Sequence, residues 1–117
     1  SSTNKTGRNF SATNKLSKQK ILNYFGLAKR AGFLVSGQTV VERAIRKQKI
    51  SMVIIANDAS ENTKKDFEDL IRERITIVNQ FSSTEISQAI GQTRKILGIS
   101  DPGITKQIKE LLKEVTL

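Results

Sequence analysis

Six consecutive residues, Ser51-Met52-Val53-Ile54-Ile55-Ala56, limit the fold more than any other part of this chain. The run is apolar and β-branched, lacks the polar alternation of a half-solvated strand, and is too short for a buried helix. It reads as a strand covered on both faces, and such a strand needs a packing layer above and below. The flanking sequence supplies those layers as helices. Ile21, Leu22, Phe25 and Ala28 recur at helical spacing from Lys18 onward, and Gly32 closes that helix. Phe33 to Val35 is a short strand candidate. Ser36-Gly37 then opens a second helix, whose buried side is expected to carry Val40, Val41, Ala44 and Ile45.

Beyond the central run, Asn57-Asp58-Ala59-Ser60 breaks the strand and offers several capping side chains. Residues 61–74 follow as a helix with Phe67, Leu70 and Ile71 inward, and Ile75 to Val78 form another strand. Ser82 and Glu85 make a capping box for a helix that ends at Gly91. Lys95 to Ser100 is the fourth strand candidate. Asp101 is placed as an N-cap with Pro102 at the first helical position, and Ile104, Ile108, Leu111, Leu112 and Val115 share one side of the last helix. Asp58 and Asp101 both follow strands, where catalytic acids of α/β proteins often sit. Capping of the next helix explains each of them better. Helices alternating with short apolar strands indicate an α/β protein with a central sheet flanked by helices.

The chain has 117 residues, which favours one domain with a real core. Residues 1–17 are rich in Ser, Thr, Asn and Lys and are expected to form a disordered basic arm, an expression scar being one source for part of it. Residues 18–117 are expected to be the single domain.

Composition removes several classes of function. Cys is absent, so thiol catalysis, disulfides and cysteine metal sites are excluded; His is absent too, which removes the commonest general base and metal ligand. No catalytic residue, metal site or cofactor is expected, and no Gly-rich loop of the Walker or dinucleotide type occurs. The longest apolar run, Met52 to Ala56, falls far short of the roughly 20 residues of a membrane span. With no stretch of signal-peptide length, the expected compartment is the cytoplasm, and the expected state is a monomer without membrane attachment.

Charge points to a partner. The net charge is +9, and it is one-sided: residues 1–50 hold 11 basic residues and one acid, Glu42, whereas residues 51–117 hold 9 basic and 10 acidic residues. Such a field suits a polyanion, although a basic surface kept for solubility has the same composition. The basic half centres on Lys29 to Lys49. A helix beginning near Gly37 presents unpaired N–H groups and a partial positive charge, and glycine lets a phosphate backbone approach closely. Helical spacing aligns Thr39 with Arg43, and Arg43 with Arg46 and Lys47. An Arg one turn into such a helix can fork onto guanine O6 and N7, while Lys29, Arg30 and other cations nearby hold phosphates. An ordinary amphipathic helix with a solvated basic face has the same spacing. Aromatic residues number only six, which disfavours a base-stacking platform and suits structured RNA read by shape and backbone.

Ala28-Lys29-Arg30-Ala31-Gly32, Ser36-Gly37, Met52 to Ser60 and Ile90-Gly91 together resemble the kink-turn RNA-binding ribosomal proteins of the seven-Ae class, and within it the small bacterial YlxQ-like branch. The resemblance covers roughly residues 20–115. It implies a three-layer α/β/α sandwich with a central four-stranded mixed sheet. It also implies recognition of kink-turns, RNA bends with tandem sheared G·A pairs, through the first helix start after a strand and a loop before the last strand. The family's glycine falls on Gly37, preceded by Ser36. The Asn, Glu and Lys that read guanines in archaeal members fall on Thr39, Val40 and Arg43. Val40 cannot accept from a guanine amino group, and the adjacent Gln38 is the side chain placed to compensate. The second loop falls on Gly91 to Arg94, so Ile90 and Arg94 are expected to support a flipped-out nucleotide or its phosphate, with Gln92 and Thr93 among the RNA-binding residues of the same loop. The resemblance thus implies RNA binding more firmly than guanine-specific readout. Two other readings stay open: an RNA-presenting domain for an RNA-modifying enzyme such as a 2′-O-methyltransferase, and a protein-interaction module.

Overall fold

The computed structural model describes residues 10–71 and 75–116, and the side chains of 16–71 and 75–114. Five helices and four strands alternate: α1 (Phe10–Ala31), β1 (Leu34–Ser36), α2 (Gln38–Arg46), β2 (Met52–Ile55), α3 (Glu61–Leu70), β3 (Thr76–Val78), α4 (Ser83–Ile90), β4 (Ile96–Ile99) and α5 (Pro102–Thr116). The strands form one sheet in the order β1-β4-β2-β3. β4 runs antiparallel to both neighbours, and β2 pairs parallel with β3, so the sheet is mixed as expected.

Every residue of β2 and β4 is buried. Alternation splits their side chains between two layers. Met52, Ile54, Leu97 and Ile99 join Ile21 and Phe25 of α1, Ile86 and Ile90 of α4 and Ile108 of α5 in one core. Val53, Ile55 and Ile96 join Val41 and Ile45 of α2 and Phe67 of α3 in the other. The three-layer sandwich follows from this doubly covered pair of central strands. In the first core Phe25 and Phe81 meet edge to face, their ring centroids 5.5 Å apart. In the second, Gly98 lets α2 settle onto the sheet. A Cβ at that position would lie 2.9 Å from Ile50 Cδ1, 3.2 Å from Val35 Cγ2 and 3.4 Å from Val41 Cγ1.

Three details of the helix bounds and caps differ from the reading of the sequence. α1 begins at Phe10, inside the segment expected to be an arm. Its polar composition argues against a helix, but tertiary docking outweighs propensity: Ser17 is buried and its hydroxyl donates to Glu114 Oε1 of α5 at 3.3 Å. Residues 1–9, the rest of the predicted arm, lie outside the described residues. α3 stops at Leu70, because Ile71 turns extended (φ −82°, ψ 131°) while still packing on the second core. The end of the predicted helix, 72–74, and the side chain of Val115 lie outside the described residues.

The third difference concerns a cap. Ser82 and Glu85 form the expected box, and Asp101 Oδ2 accepts from Ile104 N–H at 3.0 Å. Asp58, however, does not cap the helix that follows it; Ser60 does, accepting from Thr63 N–H. The amide of Asn57 donates to Phe81 O at 2.8 Å, which brings this turn beside the start of α4. Asp58 there accepts from the Ser83 hydroxyl at 2.8 Å and the Ser83 N–H at 3.2 Å. The side-chain bond from Ser83, helped by the Ser83 amide and the charge of Lys95, holds its carboxyl below the usual carboxylate range against a smaller desolvation cost.

Two measurements follow from this packing. Gly98→Ala is expected to lower stability by about 1–3 kcal/mol through overpacking, seen as a lower urea midpoint at unchanged slope; an unaltered midpoint would show that the layer yields freely. A depressed folded-state pKa means Asp58 adds stability above the pH at which the unfolded carboxyl ionises, about 4. That increment disappears as pH falls through the lower folded value. The stability gap between the wild type and Asp58→Asn should therefore be steady near neutrality and close below about pH 4.

Candidate nucleic-acid interface

β1 ends where β4 begins, since Ser36 pairs with Leu97. The ladder continues one step further, with Gly37 N–H donating to Ile96 O at 2.9 Å. The start of α2 is thereby fixed beside the loop of residues 91–95, although the two are distant in sequence. Both segments singled out from the sequence meet at one end of the sheet.

Gly37 holds φ 98° and ψ 144°, a conformation that side chains rarely adopt. A Cβ there would meet nothing within 4 Å, so the position faces open space. No side-chain cap bonds the first turn of α2, and the helix's own ladder opens with Val41 N–H donating to Gly37 O. The amides of Gln38, Thr39 and Val40, the first residues of α2, are the orphan donors of a helix start.

At roughly 100° per residue, Val41 and Ile45 centre the buried stripe of α2 and Arg43 falls opposite them. Thr39, Arg43, Arg46 and Lys47 are exposed on that outer face. None of the ion pairs among the described residues engages a cation of α2. Val40 was expected inside and is 48% exposed. It stands roughly 120° from the centre of the stripe in the first turn, beyond the reach of the sheet. Apolar character alone did not distinguish it from Val41. An exposed apolar side chain therefore flanks the outer face that carries Thr39 and Arg43.

Gln38 is committed on one side. Its Nε2 donates to Glu42 Oε2 at 2.9 Å and to Asp66 Oδ2 of α3 at 3.3 Å. Two carboxylate acceptors fix the amide nitrogen toward them and turn Oε1 away. The same bonds occupy the single acid of residues 1–50. Ser36 is half-buried at the end of β1.

The remaining expected residues divide. Gln92, Thr93 and Arg94 are exposed on the loop. Ile90 is a correction: its side chain is only 5% exposed and belongs to the first core, because the last turn of α4 points it at α1 and the sheet. Its carbonyl accepts from Lys29 Nζ at 2.7 Å. Lys29 thus binds the C-terminal end of α4, where a cation is favoured by the helix dipole. Arg30 is exposed and lines a groove between α1 and α4 with Gln19, Asn23 and Gln88. Lys95, exposed beside Arg94, belongs to the same loop and was missed, although its charge and adjacency were legible in the sequence. Asp66 had no such signal, since only the packing of α2 on α3 brings it to Gln38.

Gly37→Ala should cost about 1–3 kcal/mol of stability, because the strain lies in the backbone and not in space. Chemical denaturation checks the value. Backbone chemical shifts should move at residues 37–40 and at Ile96; shifts confined to residue 37 would disprove the link between the two segments.

The sequence profile of the "Ribosomal protein L7Ae/L30e/S12e/Gadd45 family" matches residues 19–109. A protein of Enterococcus faecium called "RNA-binding protein YlxQ" is 44% identical over 101 residues, covering 86% of this chain and 98% of the relative. The protein of the same name from Bacillus subtilis (strain 168) is 30% identical over 89 residues, 74% of this chain and 89% of its own. Among solved structures, a protein of unknown function from Bacillus halodurans superimposes with a TM-score of 0.76 at 29% identity, covering 80% of this chain and 97% of that one. The Giardia lamblia 15.5kD RNA binding protein gives 0.69 at 15% identity over 86% and 88% of the two chains, a likeness of fold.

Proposed function

The chain belongs to the ribosomal protein L7Ae/L30e/S12e/Gadd45 family, and on that premise we propose that it binds RNA, recognising a kink-turn or similarly structured ribosomal RNA. The observation that carries the reading is the bond from Gly37 to Ile96, which holds the open start of α2 beside the loop 91–95. A bent RNA offers two backbone segments at one place, and these two protein segments meet it together. That the two bacterial relatives are named RNA-binding proteins supports the same reading.

The mechanism is positional. Orphan N–H groups at the start of α2 and the cations Arg43, Arg46 and Arg94 hold phosphates. Arg43 lies one turn inside the helix, where its guanidinium fork also reaches a guanine edge. Thr39 and the free Oε1 of Gln38 supply the hydrogen-bonding partners beside it. Lys29 serves this interface from behind, through the end of α4. The proposed action is binding without chemistry, by a cytoplasmic monomer: Asp58 and Asp101, the acids that follow strands, are spent on helix N–H groups. No described helix is long and apolar enough to cross a membrane.

A titration against a kink-turn RNA and its unkinked control duplex tests the proposal. Binding should be tighter to the kink-turn and should weaken steeply with salt. Arg43→Ala should cost about 1–3 kcal/mol on the kink-turn, roughly 5- to 150-fold in affinity. Equal affinity for both RNAs would remove the kink-turn claim and leave a general RNA binder.

A further inference from the structure

Ser87 sits one turn before the end of α4, outside every residue assigned above to RNA contact. Its backbone and side chain both hold the loop that follows. The carbonyl accepts from Gly91 N–H at 2.8 Å, the bond that closes the helix with Gly91 in the left-handed region (φ 75°). The hydroxyl accepts from Arg94 N–H at 3.0 Å and is also within 3.2 Å of Arg94 O, to which it donates. One hydroxyl, with one proton and free lone pairs, thus satisfies both backbone groups of Arg94.

The rest of the loop is fastened at its far end. Lys95 O accepts from Ala56 N–H at 2.8 Å, and Ile96 O accepts from Gly37 N–H. At its near end Lys29 grips Ile90 O. Between these anchors, residues 91–94 have no strand or helix to set their path, and Ser87 supplies it. The Arg94 guanidinium then folds onto Thr93 O at 2.7 Å through one nitrogen, and the residue stays exposed. An exposed arginine on an unsupported loop would lose rotamer and backbone freedom on binding; here the backbone part of that cost is met before RNA arrives.

We propose that Ser87 is a positioning residue for RNA recognition, clamping the Arg94 backbone so that loop 91–95 is already shaped beside the start of α2. The role rests on the RNA-binding reading above. It assigns Ser87 no contact with the ligand.

The test is a double-mutant cycle on the full chain, with kink-turn RNA as the probe. Ser87→Ala should weaken binding by about 3- to 10-fold, the range of one ordinary hydrogen bond. In an Arg94→Ala background the same change should cost nothing further, because the group being positioned is gone. Ser87→Thr, which keeps the hydroxyl, should restore affinity. In the free protein, amide exchange at Arg94 should quicken in Ser87→Ala while the amides of β2 and β4 stay protected. Wild-type affinity in Ser87→Ala would overturn the proposal and leave RNA binding standing. An equal loss with and without Arg94 would also overturn it, assigning the effect to the helix as a whole. A wild-type protein that binds no RNA would instead remove the reading on which the role rests.

Discussion

The hydrogen bond from Gly37 N–H to Ile96 O extends the antiparallel ladder of β1 and β4 past the last paired residues, and the whole candidate interface hangs on it. Antiparallel neighbours place the end of one strand beside the start of the next. The turn leaving β1 and the loop entering β4 consequently share one edge of the molecule. Position 37 combines a positive φ with open space on the side of its missing Cβ. One residue therefore closes the ladder, starts the helix and leaves room for a backbone to approach.

Behind that edge the sheet acts as a rigid mount. β2 and β4 are buried on both faces, and each of the two cores is held by helices from a different layer. The close approach at Gly98 sets how deep α2 sits, so core packing and the position of Arg43 are coupled through a single helix. Polar contacts refine the arrangement where packing ends. Lys29, Ser87 and Asp58 each bind an end of α4 or the loop after it, and α4 thereby delivers residues 91–95 in a set conformation. Acids and cations divide the labour: Glu42 and Asp66 are engaged by Gln38, while the cations of α2 stay open to solvent.

Much of this was legible in the residues. The central run from Ser51 to Ala56, the helical periodicities, the Ser82–Glu85 box and the Asp101–Pro102 start each have a local physical cause, and local causes survive folding. Gly37 and the outer face of Thr39, Arg43 and Arg46 were readable for the same reason. Burial was less so at Val40 and Ile90, because an apolar residue near a helix end can face either way, and only the neighbouring layers decide. Asp58 was read as a cap but attached to the wrong helix, since its partner is set by the Asn57–Phe81 contact and not by sequence order.

By itself, then, the sequence determined an α/β alternation, a doubly covered central strand and a basic half with a glycine at a helix start. Short-range propensity, periodicity and charge are properties of neighbouring residues, so they need no fold to be read. The tertiary structure alone decided that the loop 91–95 lies beside Gly37, that Lys29 serves the end of α4, and that Ser87 fixes the backbone of Arg94. Each of these joins groups through the order of strands in the sheet or the packing of α1 on α4, long-range pairings that no local pattern encodes. The basic segment became an interface only when β1 and β4 were set side by side.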